Sequence, residues 1–517
     1  TFPKLAVAVP SYAGEEPMVA FPLALPMCCL DSVPFGCACI EAVADLTNNI
    51  PAYVELGPHR LEHLANTPPP TDLEPLALPT MTGVPHKNDP PGMADAHVRA
   101  PLGPRKVLRP FHKPVRSTDV YVDDFIQCVQ GNKDERLRYL RHLLHSIDLV
   151  FRPIDKDDNM YRVHVASVKK MLKGDAYMST RKTILGWIID TIRGTLELPP
   201  HRIDRLKELF DYLRGRDRVG LSKWRKILGE LRSMSLGVPG SRGLFSILQD
   251  GLRYTDRDRI RLTDGMHDQL ATFEYLTSEL GKRPTAIAEL VPDDPVAVGP
   301  HDASGLGMGG VWLPATTHSN LHPMLWRARF PDDIINDLVS FKNPHGSINN
   351  SQLEFAGGLA HQDVLLQAFD CEGRTIAPLG DNTPSGVWHH KGSTTGSGVT
   401  ACLLGMNSLH QRHYRYLAKE SYISGPANQM ADDCSRLWHL PDSHLLHHFN
   451  SLYPQTQPWQ LAHLRPAMLS AITCALRGQR PEPQSYLGAQ AHKTITGSFG
   501  NVSLPLTRAS THTSSPI

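Results

Sequence analysis

Six carboxylates stand out in this sequence by residue type and setting. Tyr121-Val122-Asp123-Asp124 places two adjacent aspartates where the apolar, β-branched stretch from Val120 to Val129 is interrupted, the pattern of a hairpin with acids at its tip. Farther on come His301-Asp302-Ala303-Ser304-Gly305, Gln352-Leu353-Glu354, Gly380-Asp381-Asn382 and the run NQMADDCSR from Asn428 to Arg436, which contains Asp432. Carboxylate oxygens are hard ligands suited to Mg²⁺. Acids that converge on two such ions about 4 Å apart can promote displacement at a phosphodiester. Singly, none of these boxes decides anything. Asp-Asp pairs serve turns through their backbone preferences, and Asp-Ala-Ser or Asp-Asn strings serve as helix caps.

The surrounding pattern supplies elements to hold them. Leu5, Val7 and Val9 alternate as in a short strand, a turn follows at Ser11 to Pro17, and a helix is expected around Cys37 to Asn48. Twelve prolines in the 47 residues from Pro68 to Pro114 exclude a helix or an inner strand, so this span reads as an exposed insertion. Val120, Val122, Phe125 and Ile126 are expected to bury the hairpin strands. Lys133 to Phe151 carries Leu137, Leu140, Leu144 and Ile147 at helical spacing. A second hairpin is expected from Ile184–Asp190, a turn at Arg193-Gly194, and Thr195–Leu198. Two helices follow, one with Ile203, Leu206, Phe210 and Leu213 on a face, the other from Lys223 to Met234 behind a Ser222 cap. Residues 286–445 alternate strand and helix patterns, and the Ser-, Thr- and Pro-rich end from about 480 is expected to be loose.

With 517 residues, 41% of them hydrophobic, the chain has room for several domains, which excludes wholly disordered and collagen-like classes. Its net charge of +1 conceals an asymmetry: residues 161–260 hold 21 Lys/Arg against 11 Asp/Glu, a local surplus of ten that leaves the remainder at −9. Such a stretch suits a polyanion, and Arg214, Arg216, Arg218, Lys223, Arg225 and Lys226 are its candidate phosphate contacts. The longest apolar stretch, Met18 to Leu30, is short and carries Pro22 and Pro26, so no membrane span is expected. The start TFPKLAVAVP lacks a secretory pattern, and nine irregularly spaced cysteines suit a reducing compartment, so an intracellular location, cytoplasmic or nuclear, is expected. Because residue 1 is Thr, a fragment or a processed product is expected.

Taken in order, the boxes resemble the reverse transcriptase and ribonuclease H region of a retrotransposon polyprotein, most like the DIRS-like, tyrosine-recombinase class. Tyr121 to Asp124 resembles the polymerase metal-binding box. LALPMCCLDSVPFGCACIEAVADLTN at 23–48 resembles the template- and nucleotide-contacting segment before that box, and ILGWIIDTIRGTLELPPHR at 184–202 the hairpin after the palm. The four later boxes resemble the acidic boxes of the ribonuclease H domain, and the resemblance runs from about residue 5 to 445 outside the Pro-rich insertion.

That resemblance implies an α+β multi-domain chain. A partial reverse transcriptase palm would occupy 1–190, with the insertion at 66–118, and a basic helical thumb or connection 191–285. A ribonuclease H-like α/β domain would occupy 286–445, followed by a C-terminal extension at 446–517. It also implies Mg²⁺ as cofactor, an RNA-DNA hybrid or template-primer as partner, and Asp123, Asp124, Asp302, Glu354, Asp381 and Asp432 as catalytic metal ligands. Asp302 would end a first strand, Glu354 face inward from a helix, Asp381 end a middle strand and Asp432 open the last helix. The implied activity is cleavage of RNA in hybrids. Polymerisation is expected to be lost in this chain, because the family's first palm aspartate has no counterpart among the first 30 residues, whose only acids are Glu15 and Glu16. Cys28 stands where the family has Gly, Val33 where it has Pro, Gly36 where it has an aromatic, and Tyr422 where many relatives carry a loop His. The alternative is a decayed element that at most binds nucleic acid.

Other motifs have plainer readings. Gly305 to Gly310 lacks the downstream acid of a dinucleotide loop and reads as a tight hairpin. Cys28, Cys29, Cys37 and Cys39 lack zinc spacing. His389-His390 and His444 with His447-His448 read as surface histidines. Trp187 and Trp224, in the basic span, suit either base stacking or the core.

Overall fold

A computed structural model describes residues 7–9, 18–20, 32–68, 79–81, 100–101, 115–122, 124–151, 166–253, 258–314, 321–391, 398–487 and 492–494. The chain divides into two units, residues 1–74 with 109–179 and residues 75–108 with 180–517.

In the first unit, helix α1 (Ser32–Asn49) lies against α2 (Lys133–Phe151) through Val43, Leu143 and Ile147. The expected hairpin is present as β1 (Arg116–Tyr121) and β2 (Asp124–Val129), with Tyr121 opposite Asp124. Asn48 ties it to α1, because its side chain accepts from Thr118 N at 2.7 Å and donates to Thr118 O at 2.8 Å. The strands are less buried than the apolar pattern implies. Val120, Phe125 and Ile126 are only half-buried, and Val122 sits exposed in the turn at φ 56°.

The second unit begins with β3 (Arg181–Ile184), β4 (Trp187–Asp190) and β5 (Thr195–Glu197). The stretch expected as one strand from Ile184 is broken at Leu185 and Gly186, whose φ values of 50° and 79° make a two-residue hairpin turn. Then follow α3 (Pro200–Leu213), β6 (Arg218–Gly220), α4 (Leu221–Ser235), α5 (Phe245–Arg253), β7 (Arg259–Arg261), α6 (Asp264–Lys282) and β8 (Thr285–Ala286), the last completing the sheet order β8-β5-β4-β3. Helix α4 starts at Leu221 after Gly220, so Ser222 lies within its first turn rather than capping it. Trp187 and Trp224 are core residues, which corrects the stacking alternative: both are buried, donating to Ser233 O at 2.9 Å and Leu248 O at 3.2 Å.

The central sheet is built from β9 (Ala297–Ala303), β10 (Gly307–Pro314), β11 (Met324–Arg329), β12 (Thr375–Gly380), β13 (Leu417–Ala418), β14 (Ser421–Tyr422) and β15 (Gln460–Ala462). Its order is β13-β12-β9-β10-β11-β15, with β14 also on β12. Strands β9, β10 and β11 are antiparallel, whereas β12 runs parallel to β9. Alternation along the strands separates two faces. Met308, Trp312 and Trp326 join the core formed with α7 (Asn350–Ala368), α8 (Gly398–Tyr414) and the helices of 200–282. Val311 and Leu325 point the other way, toward Cys434 of α9 (Gln429–Arg436) and Leu445 and Phe449 of α10 (Asp442–Leu452). The basic helical span and the sheet domain therefore share one continuous core.

That core continues past the expected boundary at 445. Strand β15 pairs with β11, and α11 (Pro466–Leu476) buries Met468, Ile472 and Leu476. Residues 480–487, expected to be loose, include helix α12 (Pro483–Leu487) with Tyr486 and Leu487 buried, because apolar anchors outweigh the polar composition. The remainder of the tail lies outside the described residues apart from His492–Thr494, which pairs with Pro79–Met81 in the Pro-rich span. At about 1.5–3 kcal/mol for each large apolar side chain fully buried, these five anchors are worth on the order of 10 kcal/mol, comparable with a whole domain's stability. A chain cut after Leu445 is expected to lose cooperative thermal unfolding, and one cut after Leu487 to keep it. Calorimetry of the two truncations checks this. Among the described residues no helix is long and apolar enough to cross a membrane.

Candidate active site

Parallel pairing of β9 and β12 sets the geometry. The last register pair is Pro300 with Leu379, and two residues beyond it come Asp302 and Asp381, side by side at the carboxyl ends of neighbouring strands. From one face of the sheet α7 delivers Glu354, whose Oε2 accepts from Ala303 N at 3.2 Å. Ligand oxygens of Asp302, Glu354 and Asp381 all lie within 4.8 Å of one another, and no other group of three His, Cys, Asp or Glu among the described residues converges in this way.

From the other face comes Asp432. Helix α9 can lie directly on β10 because that strand lacks side chains where they meet: a Cβ on Gly309 would stand 2.6 Å from Cys434 Cβ, and one on Gly307 2.4 Å from the Trp438 ring. The glycine run read as a hairpin is thus also the seat of the helix. Arg436, one turn after Asp432, bridges the acids, with Nη2 at 2.8 Å from Asp432 Oδ1 and 3.5 Å from Asp302 Oδ2. Ser435 Oγ donates to Asp302 Oδ2. The neighbouring Asp433 has a different task. It accepts from Gln429 Nε2 at 2.9 Å and Tyr453 OH at 2.9 Å and meets His448 Nε2 at 3.0 Å, which pins α9 to α10.

The electrostatics follow from burial and crowding. Burial first, then the charges of Asp302 and Asp381, push the Glu354 carboxyl up to about 9. Asp432 is raised to about 6, chiefly by partial burial and then by Asp302, with Arg436 opposing. Burial and crowding raise the proton affinity of these carboxylates, an electrostatic load that a divalent cation in the oxygen-rich seat would relieve, so the residues fit Mg²⁺.

Of the polymerase-like pair, only Asp124 lies among the described residues. Asp123 lies outside the described residues, as do Cys28 and Cys29. Asp124 Oδ1 meets Lys170 Nζ at 2.8 Å, and both side chains are about half-exposed. In the basic span all six candidate contacts are exposed, but they are not equivalent. Arg214 is paired with Asp211 at 3.0 Å and Glu274 at 2.7 Å, while Arg216 and Lys223 lie over the Tyr212 ring.

Ser435 and Arg436 stood within the last box without a role. Their signal was the i+3 and i+4 spacing from Asp432, which puts them on the same helix face. The contact of His448 with Asp433 spans fifteen residues and two helices and left no local trace.

No family model matches the chain, and no curated protein matches it. Among solved structures it is similar to the foamy viral protease-reverse transcriptase in complex with RNA/DNA hybrid, at 13% identity over 63% of this chain and 36% of that one, with a TM-score of 0.27. It is also similar to the same viral protein in complex with dsDNA, at 15% identity over 60% of this chain and 55% of that one, with a TM-score of 0.27. A third, "dRH" form in complex with ds DNA shows 14% identity over 59% of this chain and 46% of that one, with a TM-score of 0.26. The chain thus spans about a third to a half of the viral chains.

Proposed function

We propose that this chain is the reverse transcriptase and ribonuclease H part of a retroelement, of the DIRS-like kind, and that its second unit cleaves the RNA strand of RNA-DNA hybrids with Mg²⁺. The observation that carries the reading is the meeting of Asp302, Glu354 and Asp381, three acids from three separate sequence boxes, with Asp432 beside them. Antiparallel β9-β10-β11 with β12 parallel to β9 supports it, because the parallel pair carries Asp302 and Asp381 to neighbouring strand ends.

Asp302, Glu354, Asp381 and Asp432 would hold the metal. Mg²⁺ bound there supplies a Lewis acid that neutralises phosphate charge and makes water more acidic. The protein's own contributions are positional. Ser435 fixes the Asp302 carboxylate, Arg436 ties Asp432 to Asp302, and the buried surroundings of Glu354 keep bulk water from screening the charges. The requirement for RNA is read in the 2′-hydroxyls across the minor groove of the hybrid. Tyr422, exposed and opposite Gly380, stands where relatives place an imidazole, so the departing oxygen takes its proton from water.

The purified chain with Mg²⁺ is expected to cut the RNA strand of an end-labelled hybrid, to leave the matching DNA duplex whole, and to stop in EDTA. Cleavage that persists in EDTA, or equal cutting of duplex DNA, overturns the reading. So does a folded chain that leaves the hybrid intact in both Mg²⁺ and Mn²⁺.

A further inference from the structure

The two-stranded ribbon of β6 and β7 has an arrangement that the free fold does not explain. Its register puts Arg218 directly opposite Arg261, Val219 opposite Ile260, and Gly220 opposite Arg259. Paired residues of an antiparallel ribbon share a face, and residues two apart along a strand do as well. Val219 and Ile260 are buried, 1% and 2% exposed, against the helical core. The opposite face therefore carries Arg218, Arg259 and Arg261 together, all three exposed, on a surface three residues long.

Like charges directly across a ribbon repel. None of the three has an acidic partner among the described residues. Asp217 and Asp258, the flanking acids, are exposed and form no ion pair with the three arginines among the described residues; their backbone oxygens are engaged by Leu262 N and Leu221 N at 2.8 Å each. Other arginines of the span are neutralised within the fold, Arg214 by Asp211 and Glu274 and Arg202 by Glu230. Opposite Arg259, Gly220 leaves the face open: a Cβ there would meet nothing nearer than Asp258 O at 4.0 Å.

We infer that the Arg218-Arg259-Arg261 face is a phosphate clamp for the sugar-phosphate backbone of a nucleic acid. The inference rests on the hybrid-binding reading above and sharpens it, from a basic span of a hundred residues to one ribbon that adds Arg259 and, one residue past the span, Arg261 to the candidate set read from the sequence. Three unshielded guanidiniums in a row match the repeating charge of a nucleic-acid backbone, and arginine suits phosphate by its planar donor fork. Contacts of this kind position a strand and do not read sequence.

The test is a salt titration of hybrid binding by the full chain in EDTA, where no cutting occurs. Each phosphate neutralised contributes roughly 0.9 to the slope of log K against log salt. R218Q/R259Q/R261Q is expected to flatten the slope by about 2 to 3 and to weaken binding most at low salt, with no loss of thermal stability, because the residues are exposed and their mutual repulsion is removed. The triple lysine variant keeps the charge and is expected to keep the slope. R214Q/R216Q/K223Q, whose charges are engaged within the fold, is expected to change it by less than about 1. A parental slope in the glutamine triple overturns the clamp whatever the cleavage assay shows. So does a glutamine triple that instead loses affinity for polyglutamate, since that would make the partner an acidic protein. Loss of hybrid cleavage in a chain whose slope behaves as stated would sink the ribonuclease reading and leave the clamp standing.

Discussion

Asp302→Asn and Asp381→Asn are each expected to lower hybrid cleavage by roughly 10³-fold or more while leaving hybrid affinity in EDTA within about twofold. The two aspartates leave adjacent parallel strands at the same level, so both face the point where charge must be balanced. Asparagine preserves shape and one acceptor oxygen but removes the negative charge. Metal-assisted stabilisation of a phosphoryl transition state is worth several kcal/mol, and about 4 kcal/mol corresponds to roughly 10³ in rate. Binding is spared because the strand is held by cations elsewhere, not by these acids. Single-turnover cleavage with end-labelled hybrid measures the first quantity, and anisotropy in EDTA the second. If both variants cut within tenfold of the parent, the carboxylate cluster is not the reacting site.

How much of this was legible beforehand depends on how local the cause was. Asp302 lies at the end of β9 and Asp381 directly after β12, while Glu354 and Asp432 lie inside α7 and α9, positions that local strand and helix patterns suggest. Helix α2 likewise follows from one apolar stripe, and its bounds are those the stripe predicts. What escaped depends on pairing between distant segments. Arg218 and Arg261 face each other only because two short strands about forty residues apart come into register, which no spacing rule encodes. Leu185-Gly186 was hidden inside an apolar run, since only the backbone's left-handed turn divides it. The stretch from 480 to 487 departs from expectation for the opposite reason. Polar composition near 480 masked Tyr486 and Leu487, two anchors whose burial outweighs it.

Glu354→Gln is expected to raise the melting temperature of the metal-free chain at pH 8 and to leave it nearly unchanged at pH 5. In the folded chain Glu354 keeps its proton up to about 9, whereas the ordinary value is 4.5. Between those values the folded state holds a proton that the unfolded state has released. Unfolding free energy from this group therefore falls as pH rises, being fully present below about 4.5 and lost toward 9. Asp432, raised to about 6, acts in the same direction over a lower and narrower window. At pH 8 the proton retained on Glu354 costs about 2–5 kcal/mol, the lower figure allowing for relaxation and water entry. For a unit of this size that is roughly 3–6 °C. Glutamine keeps the oxygen that accepts from Ala303 N and has no charge to bury, so its stability should not carry this slope. Divalent cation should raise the parent's melting temperature at pH 8, where it compensates the crowded charges, and raise the variant's much less. Differential scanning fluorimetry of both proteins at pH 5, 6.5 and 8, with EDTA and with Mn²⁺, gives the whole comparison. Superimposable melting curves for parent and variant at pH 8 in EDTA would show that Glu354 is not held protonated by its burial and by Asp302 and Asp381, and with that the electrostatic case for a metal seat at these three residues would fail.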